Sequence, residues 1–209
     1  MKINNPKVFK CINKNLIDSY KENDYSNGIF NENINDKIVI ENVIIDSCIF
    51  EKIDFTNIEL NNVDLLDCIF DGCDLSNKVF DDKLISRVIF KNCKMIGTTF
   101  INSSLKDVIF DNCTTRYLNF SNAKINNVLY KDSDLKEASF MENNIKNIEF
   151  DNVILKEAEF LNTNLNEVDF SNSNIDGTIF DMFSLKGIII DKFQCSDIVP
   201  LLGVKVKDL

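Results

Sequence analysis

The stretch VIFKNCKMIGTTFINSSLKDVIFDNC, residues 88–113, places a large apolar residue at every fifth position. The same spacing continues in both directions. Of the 31 residues counted in fives from Ile40 to Ile190, 30 are apolar, and Thr115 is the exception. Neither the period of an α-helix nor the two-residue alternation of a β-strand maintains a spacing of five over such a length. The spacing therefore predicts a chain that turns inward at regular intervals.

A second pattern divides these anchors into two kinds. Of the fourteen residues at multiples of ten from Phe50 to Phe180, twelve are Phe, and the intervening anchors are mostly Leu or Ile. The residue two positions before an anchor is usually small, as at Cys73, Ser103 and Ala123. Four such segments would close a square coil of twenty residues. Coils would stack ~4.8 Å apart, with two opposite ladders of Phe and a packed interior instead of a pore.

Two places interrupt this pattern. Thr115, followed by Arg116 and Tyr117, replaces an expected apolar anchor. A local bulge or a kink between two halves of the rod would accommodate it. Lys78 and Lys83 occupy small inward positions and predict another irregular corner. Irregularity without a function is the simpler interpretation of both.

The composition disfavours several classes of function. The net charge of -10 argues against binding bare nucleic acid, whose phosphates attract Lys and Arg. It favours a basic partner, although such acidity also serves solubility alone. The chain has no His and six Gly, without a glycine-rich phosphate loop. Ser and Cys have no imidazole to activate them, and convex stripes of carboxylates form no closed pocket. We therefore predict no catalytic residues, no metal and no cofactor.

The N-terminal residues and the cysteines predict the location of the protein. The first twenty residues contain no uninterrupted apolar run, and no stretch of 18 apolar residues occurs, so we expect neither a signal peptide nor a membrane span. The odd number of cysteines, seven, predicts free thiols in a reducing cytoplasm, and the abundance of Asn, Lys and Ile suits a bacterial genome rich in AT. Cys11 and Cys195 lie outside the repeat. Five others recur at the small inward position, where they predict buried filler instead of a zinc site: Cys48, Cys68, Cys73, Cys93 and Cys113.

The pentads CDLSN (73–77), NLNEV (164–168) and EVDFS (167–171) resemble the pentapeptide-repeat family. The resemblance covers about residues 38–190. It implies an all-β fold, a right-handed quadrilateral parallel β-helix of about seven to eight coils, whose central Leu or Phe points inward.

The run LKGIIIDKFQCSDIVPLLGVKV (185–206) resembles the tail of the quinolone-resistance (Qnr-type) members of that family. This resemblance implies a helix that caps the solenoid, an end-to-end homodimer, and an acidic surface that imitates duplex DNA toward DNA gyrase or topoisomerase IV. The unbroken repeat leaves no room for the two loops of the Gram-negative members, so the resemblance is to loopless members. Pro200 predicts that the helix is short or kinked. The matching residues are Leu185, Gly187, Phe193, Gln194, Leu202, Gly203, Val204 and Val206.

These observations divide the chain into three parts. Residues 1–37 are expected to form an N-terminal cap or arm, residues 38–190 the β-helix, and residues 191–209 a C-terminal cap with a dimerising face. A solenoid needs such caps because its open ends would otherwise expose unpaired strand edges. The predicted dimerising residues are Phe193, Ile198, Leu201, Leu202 and Val204.

Two stripes of outward side chains carry most of the candidate partner-binding residues. The first, here the charged stripe, consists of Glu51, Asp71, Lys91, Asp111, Lys131 and Asp151 and continues to Ser171 and Asp191. The second charged stripe consists of Asp54, Asp74, Lys94, Thr114 and Asp134. Lys interrupts both, so each is open to two interpretations, a solvated face or a surface that mimics DNA.

A further stripe is unexpectedly apolar. The aliphatic stripe consists of Ile49, Ile69, Ile89, Ile109 and Leu129 and turns acidic at Glu149 and Asp169. Three interpretations stay open. The stripe is an interaction site, it is a flat ladder that suits β-branched residues, or the N-terminal segment covers it with residues such as Phe30.

Three functions follow as hypotheses. The leading one is a non-enzymatic DNA mimic that binds DNA gyrase or topoisomerase IV and confers fluoroquinolone resistance. The rod of ~36 Å would reach ~70 Å as an end-to-end dimer, comparable to ~20 base pairs. The alternative is a scaffold that binds another protein through the aliphatic stripe, and the third is immunity to a toxin that poisons gyrase. We expect the first two to use different faces of the solenoid.

Overall fold

Segments twenty residues apart in the sequence lie side by side in the computed structural model, which describes residues 1–207. Ile69 pairs with Ile89, and Ile89 pairs with Ile109, in parallel and in constant register. Successive coils therefore stack into a parallel β-solenoid of about eight turns with a short C-terminal helix. The predicted fold class is confirmed.

The strands contain two to fourteen residues, and the longer ones run through a corner of the coil. The strands are β1 (Ile12–Asn13), β2 (Gly28–Phe30), β3 (Ile38–Asp46), β4 (Ile49–Glu51), β5 (Ile58–Asp71), β6 (Leu84–Lys91), β7 (Ser104–Asp111), β8 (Lys124–Lys131), β9 (Asn144–Asp151), β10 (Glu159–Phe160) and β11 (Ile179–Phe180). The α-helices are α1 (Leu16–Glu22) and α2 (Cys195–Ile198), and 3-10 helices span Phe55–Asn57 and Val199–Leu202.

The core consists of the two predicted Phe ladders. Phe90 stacks on Phe110 with ring centroids 5.1 Å apart, and Phe100 stacks on Phe120 at 4.9 Å. The ladders meet edge to face, as between Phe100 and Phe110 at 6.3 Å and 83°. Both geometries suit the charge distribution of aromatic rings, and each pair adds about 1 kcal/mol beyond its burial. The interior is packed with side chains, as the sequence predicted.

The corners depend on residues that tolerate a left-handed backbone. Most corner residues have a φ between 49° and 68°, a region that costs most side chains energy but that Asn, Asp and Gly adopt readily. Their side-chain amides also connect neighbouring coils. Asn112 Nδ2 donates to Asn92 Oδ1 at 2.8 Å, and Asn147 Nδ2 donates to Asn127 Oδ1 at the same distance. The abundant Asn therefore suits the corners, where it tolerates the left-handed backbone and links neighbouring coils.

Thr115 causes no bulge, contrary to the prediction. It is buried at the anchor position, and its hydroxyl donates to the carbonyl oxygen of Asp134 at 3.0 Å. Its neighbour Thr114 keeps the parallel pairing with the coils on both sides. The register shifts elsewhere, between β8 and β9, where Asn126 lies opposite Asn147.

Lys78 and Lys83 avoid the core, although both stand at positions predicted to point inward. Lys78 Nζ donates to the carbonyl oxygen of Ile58 at 2.9 Å, and Lys83 Nζ donates to Asn62 Oδ1 at 2.5 Å. Both side chains are half-buried because their aliphatic stems pack while their ammonium groups reach polar partners.

The parallel pairing begins ahead of residue 38. β1 pairs with β2, and β2 pairs with β4, while α1 lies in the connection between β1 and β2. Phe30 is buried and stacks on Phe50 at 5.0 Å. The hypothesis that Phe30 lies over the aliphatic stripe is therefore wrong, because Phe30 belongs to the core ladder.

The C-terminal cap follows the prediction made from Pro200. α2 contains four residues and continues directly into the 3-10 helix Val199–Leu202, which includes the proline. Gly203 ends this helix in the left-handed conformation, at φ 76°. Gln194 fastens the cap, because its buried Nε2 donates to the carbonyl oxygens of Phe170 and Ser173 at 2.8 and 2.7 Å. Within residues 1–207, no helix is long and apolar enough to cross a membrane.

Candidate protein-binding face

The charged stripe and the aliphatic stripe lie on one face of the solenoid. Ile49 and Glu51 belong to the same strand, β4, and pair with Ile69 and Asp71 of the next coil. The parallel pairing continues along both stripes as far as β9. Residues two apart in a strand point to the same side. The expectation that the two leading functions use different faces is therefore wrong, and we call this shared surface the two-stripe face.

The carboxylates of the charged stripe are free of ion pairs. Among residues 1–207, no Lys or Arg lies within ion-pair distance of Glu51, Asp71, Asp111 or Asp151. Two of them accept hydrogen bonds from corner amides instead, Asp71 from Asn92 and Asp151 from Asn172, each at 2.8 Å. The stripe thus keeps its negative charges available to a partner.

In the second charged stripe, most of the carboxylates form ion pairs and are less available to a partner. Its members pair across the next face of the solenoid, from Asp54 through Asp74 to Asp134. Lys94 Nζ lies 2.9 Å from a carboxylate oxygen of Asp74, and Arg116 Nε lies 2.6 Å from one of Asp134. Neutralised carboxylates attract a cationic partner less, so the second stripe is the weaker candidate.

Local hydrogen bonds also favour the ionised form of two carboxylates in the second charged stripe, Asp54 and Asp74. The hydroxyl and the backbone N–H of Thr56 lower the pKa of Asp54. Burial by itself would raise the pKa of Asp74, but donors from Ser76 and the neighbouring Lys94 lower it overall. Both groups therefore stay charged at neutral pH, and part of their hydrogen-bonding capacity is already used within the solenoid.

The aliphatic stripe is half-buried along its whole length. Its members stack on one another across five coils in parallel pairs, flanked by charged side chains on one side. The side chains are neither fully exposed nor covered. The stripe therefore forms a narrow apolar strip beside the charged stripe, and both the interaction and the ladder interpretations stay open.

The two-stripe face becomes richer in carboxylates near its C-terminal end. A shallow depression there is lined by Glu149, Asp151, Glu167 and Asp169, together with Asn172. Glu149 also accepts the α-amino group of Met1 at 3.4 Å. Sequence reasoning noticed Glu149 and Asp169 but missed Glu167, which stands at a corner. The sequence could have indicated Glu167, since it lies only two residues from Asp169, which had been identified.

The inward cysteines are packing residues. Each of the five Sγ atoms lies within hydrogen-bond distance of backbone carbonyl oxygens, as between Cys68 and Leu66 at 3.2 Å. Burial raises the pKa of the Cys48 thiol to about 12. No group of His, Cys, Asp or Glu in the described part of the chain is arranged to hold a metal ion.

The predicted dimerising residues lie at the C-terminal end of the rod. Phe193 is 74% exposed, and Leu202 is 50% exposed. Leu201 and Val204 are exposed as well, whereas Ile198 is half-buried and packs on the core. Met182, Phe183 and Ile189, which sequence reasoning missed, add exposed apolar area.

The fold and its repeats define the class of protein as a pentapeptide-repeat solenoid. The family descriptions "Pentapeptide repeat region" and "Pentapeptide repeats (8 copies)" match residues 83–160 and residues 46–77 and 146–181, respectively. The chain belongs to the pentapeptide-repeat family. No curated protein sequence matches it.

Several solved structures are similar to the chain at low sequence identity. Full-length QnrB1, a plasmid-mediated fluoroquinolone resistance protein, is 20% identical, with a TM-score of 0.45 over 86% of this chain and 89% of its own. HetL, involved in heterocyst differentiation regulation in the cyanobacterium Nostoc sp. strain PCC 7120, is 13% identical, with a TM-score of 0.26 over 87% and 98%. Rfr23 from the cyanobacterium Cyanothece 51142 is 14% identical, with a TM-score of 0.31 over 84% and 97%.

Proposed function

We propose that this protein is a non-enzymatic, DNA-mimicking partner of a type II topoisomerase, DNA gyrase or topoisomerase IV, and that it lessens inhibition by fluoroquinolones. The two-stripe face is its working surface. The observation that carries the proposal is the straight line of unpaired carboxylates on that face, Asp71, Asp111 and Asp151. A DNA-binding groove lined by Lys and Arg would attract such a line.

The spacing of these carboxylates supports mimicry of DNA at a lower density of negative charge. Asp71, Asp111 and Asp151 are each two coils apart, which corresponds to ~9.6 Å. One strand of duplex DNA carries a phosphate every ~3.4 Å along the axis, so the three carboxylates recur about a third as often. Lys91 and Lys131 stand between them and lower the net negative charge of the stripe further. The acidic depression at Glu149 and Glu167 adds charge toward the C-terminal end.

The resemblance of the tail to Qnr-type proteins supports the same partner and the same assembly. An end-to-end homodimer through Phe193, Leu201 and Leu202 would join two rods and double the length of the acidic surface. It would also cover apolar side chains that are exposed in the single chain.

A supercoiling assay with purified DNA gyrase tests the proposal. The protein is titrated with and without ciprofloxacin at about 50 mM and about 200 mM salt, because attraction to a charged groove weakens as salt rises. We expect salt-sensitive protection or direct inhibition. Absence of any effect at tens of micromolar protein would contradict the proposal for the gyrase tested.

Matched charge reversals locate the activity. The variant Asp71→Lys/Asp111→Lys/Asp151→Lys should abolish the effect on gyrase. The control Glu59→Lys/Asp82→Lys/Glu142→Lys changes the net charge equally at exposed residues of the opposite face and its corner, and it should keep the effect. Equal loss in both variants would show that net charge, and not the two-stripe face, produces the activity.

A second candidate function is a scaffold that binds an unidentified protein through the aliphatic stripe. The half-buried strip of five aliphatic side chains beside a line of charges favours it, because protein interfaces often combine an apolar centre with a polar rim. Ile69→Thr/Ile109→Thr keeps the β-branched shape and removes apolar surface. If gyrase activity persists in this variant but not in the triple Asp variant, the charged stripe alone binds gyrase.

A further inference from the structure

The first ten residues form an arm along the outside of the solenoid, without helix or strand and with a turn at residues 9 and 10. Beside the arm, Cys11 Sγ donates to the carbonyl oxygen of Ser47 at 2.9 Å. The backbone N–H of Lys7 donates to Asp67 Oδ1 at 3.0 Å, and Asn4 Nδ2 donates to Asp107 Oδ2 at 2.8 Å. Residues 47, 67 and 107 stand in one corner row, so the arm runs along the axis across successive coils.

The spacing of the arm matches the spacing of the coils. Asp67 and Asp107 are two coils apart, ~9.6 Å. Lys7 and Asn4 are three residues apart, which in an extended chain corresponds to ~10 Å. An extended peptide can therefore contact both Asp67 and Asp107 without distortion.

The corner beneath the arm contains two buried carboxylates. Asp67 is 5% exposed and Asp107 is 2% exposed. Arg87 pairs with Asp67 through Nε and Nη2, both at 2.6 Å. Asp107 has no such cation and accepts only amide groups, from Asn4 and from Asn127 at 2.9 Å. A buried carboxylate requires donors, and at Asp107 one of the two donors comes from the arm.

The arm forms few hydrogen bonds with the solenoid, and those that involve Lys7 and Asn4 end on side chains of the coils. In the described structure, no backbone–backbone hydrogen bond joins residues 1–10 to the coils, and the ladder begins at Ile12. Pro6 is buried, but Phe9 is 88% exposed and the three arm lysines are exposed. A segment with so few backbone hydrogen bonds opens before the coils do.

The charges of the arm and the solenoid are complementary. The arm sequence MKINNPKVFK contains three Lys and no Asp or Glu. Because the whole chain has a net charge of -10 and the arm contributes +3, the remainder carries -13. The occupant of the corner in this structure is thus an extended basic peptide.

We propose that this corner row, from Asp67 to Asp107, is a docking groove for an extended basic peptide segment of a partner protein, and that the arm occupies the groove until such a segment displaces it. The groove recognises a backbone N–H and a side-chain amide three residues apart. It lies at the corner next to the aliphatic stripe, so a peptide bound there adjoins the two-stripe face. The inference does not depend on the proposed topoisomerase partner.

NMR on the full chain measures displacement of the arm from the groove. The protein is ¹⁵N-labelled, and the probe is an unlabelled synthetic peptide with the sequence of residues 1–10. A tethered arm competes at an effective concentration on the order of millimolar, so several millimolar probe is needed. We expect the amide signals of the protein's own arm to move to unfolded positions while the solenoid signals persist. An arm that stays protected at that concentration would overturn the proposal.

Variants make the test specific. Asn4→Ala/Lys7→Pro removes both donors of the arm, so this loosened protein should bind the probe about tenfold or more tightly than the natural chain. Adding Asp107→Gly, which keeps a residue suited to positive φ, should weaken probe binding about tenfold. Adding Asp132→Gly, at a left-handed corner away from the arm, is the control and should leave binding unchanged.

Three outcomes would contradict the proposal. The probe could bind the Asp107→Gly protein as well as its parent, or it could bind neither. Alternatively, the loosened protein could form concentration-dependent oligomers that the probe dissociates. That result would identify the arm of a second copy as the occupant of the groove. Circular dichroism and the persistence of the solenoid signals check that each variant is folded.

Discussion

At the residue scale, the left-handed corners explain why polar residues recur as strictly as the apolar anchors. Asn112 has a φ of 54°, whereas Asn119 lies in an extended segment that pairs with Thr99. A Cβ at the first site costs energy that glycine avoids, and at the second site glycine is the costlier residue.

This difference predicts a reversal of sign between two pairs of variants. Asn112→Ala should be less stable than Asn112→Gly by about 1 kcal/mol, because both lose the amide but only Ala keeps a Cβ at positive φ. Asn119→Gly should instead be less stable than Asn119→Ala by about 0.5–1 kcal/mol. Urea unfolding measures both differences. The same order at both sites would contradict the assignment of the corners.

Asp67 predicts a pH dependence. The hydrogen bonds from Arg87 lower the pKa of Asp67 below its usual value, and burial opposes this shift without reversing it. A lowered pKa stabilises the folded state above the unfolded pKa of about 3.9, and this contribution is lost as pH falls through the folded pKa. Asp67→Asn should therefore reduce stability at pH 7 and lose less on acidification. Parallel stability curves for both proteins from pH 7 to pH 2 would contradict this.

At the element scale, the C-terminal cap predicts the oligomeric state. Leu201 and Leu202 lie in the 3-10 helix that follows α2 and are 41% and 50% exposed. Leu201→Asp/Leu202→Asp places charges in the proposed end-to-end contact, so we expect a monomer in analytical ultracentrifugation and a dimer for the natural chain. A dimer that survives the change would show that the contact lies elsewhere.

The elements that the sequence predicted are those that repeat. The Phe ladders follow from spacing alone, because a fixed period leaves one way to stack coils. Tyr25 and Phe30 also fall on the five-residue spacing, so the sequence did indicate a coil ahead of residue 38. Asn35 is polar and interrupts this run of apolar anchors. Thr115 was misjudged because a buried hydroxyl that bonds to a backbone carbonyl fits an anchor position without a bulge.

The candidate site was predictable in its residues and less so in its environment. Positions twenty apart gave both stripes. The face that they share was missed, although Ile49 and Glu51 lie only two residues apart in the sequence. Ion pairing was not predictable, because it depends on which rotamers Lys94 and Arg116 adopt toward the next coil. The arm has no period, and its contacts with Asp67 and Asp107 arise only from the folded surface.

At the scale of the whole molecule, the protein is a rod whose stability comes from contacts between neighbouring coils and whose sides present straight rows of side chains. Repetition makes such rows unavoidable, so a row alone does not define a function. On the two-stripe face, Asp71, Asp111 and Asp151 form no ion pair with another described residue, and further carboxylates gather at its C-terminal end.

Competition with DNA tests the central claim most directly. A labelled duplex of about 20 base pairs is bound to DNA gyrase, and this protein is added at two salt concentrations. If the two-stripe face imitates DNA, the protein should displace the duplex, the Asp71→Lys/Asp111→Lys/Asp151→Lys variant should not, and displacement should weaken as salt rises. Simultaneous binding of protein and duplex to gyrase, or equal displacement by the variant, would contradict the account.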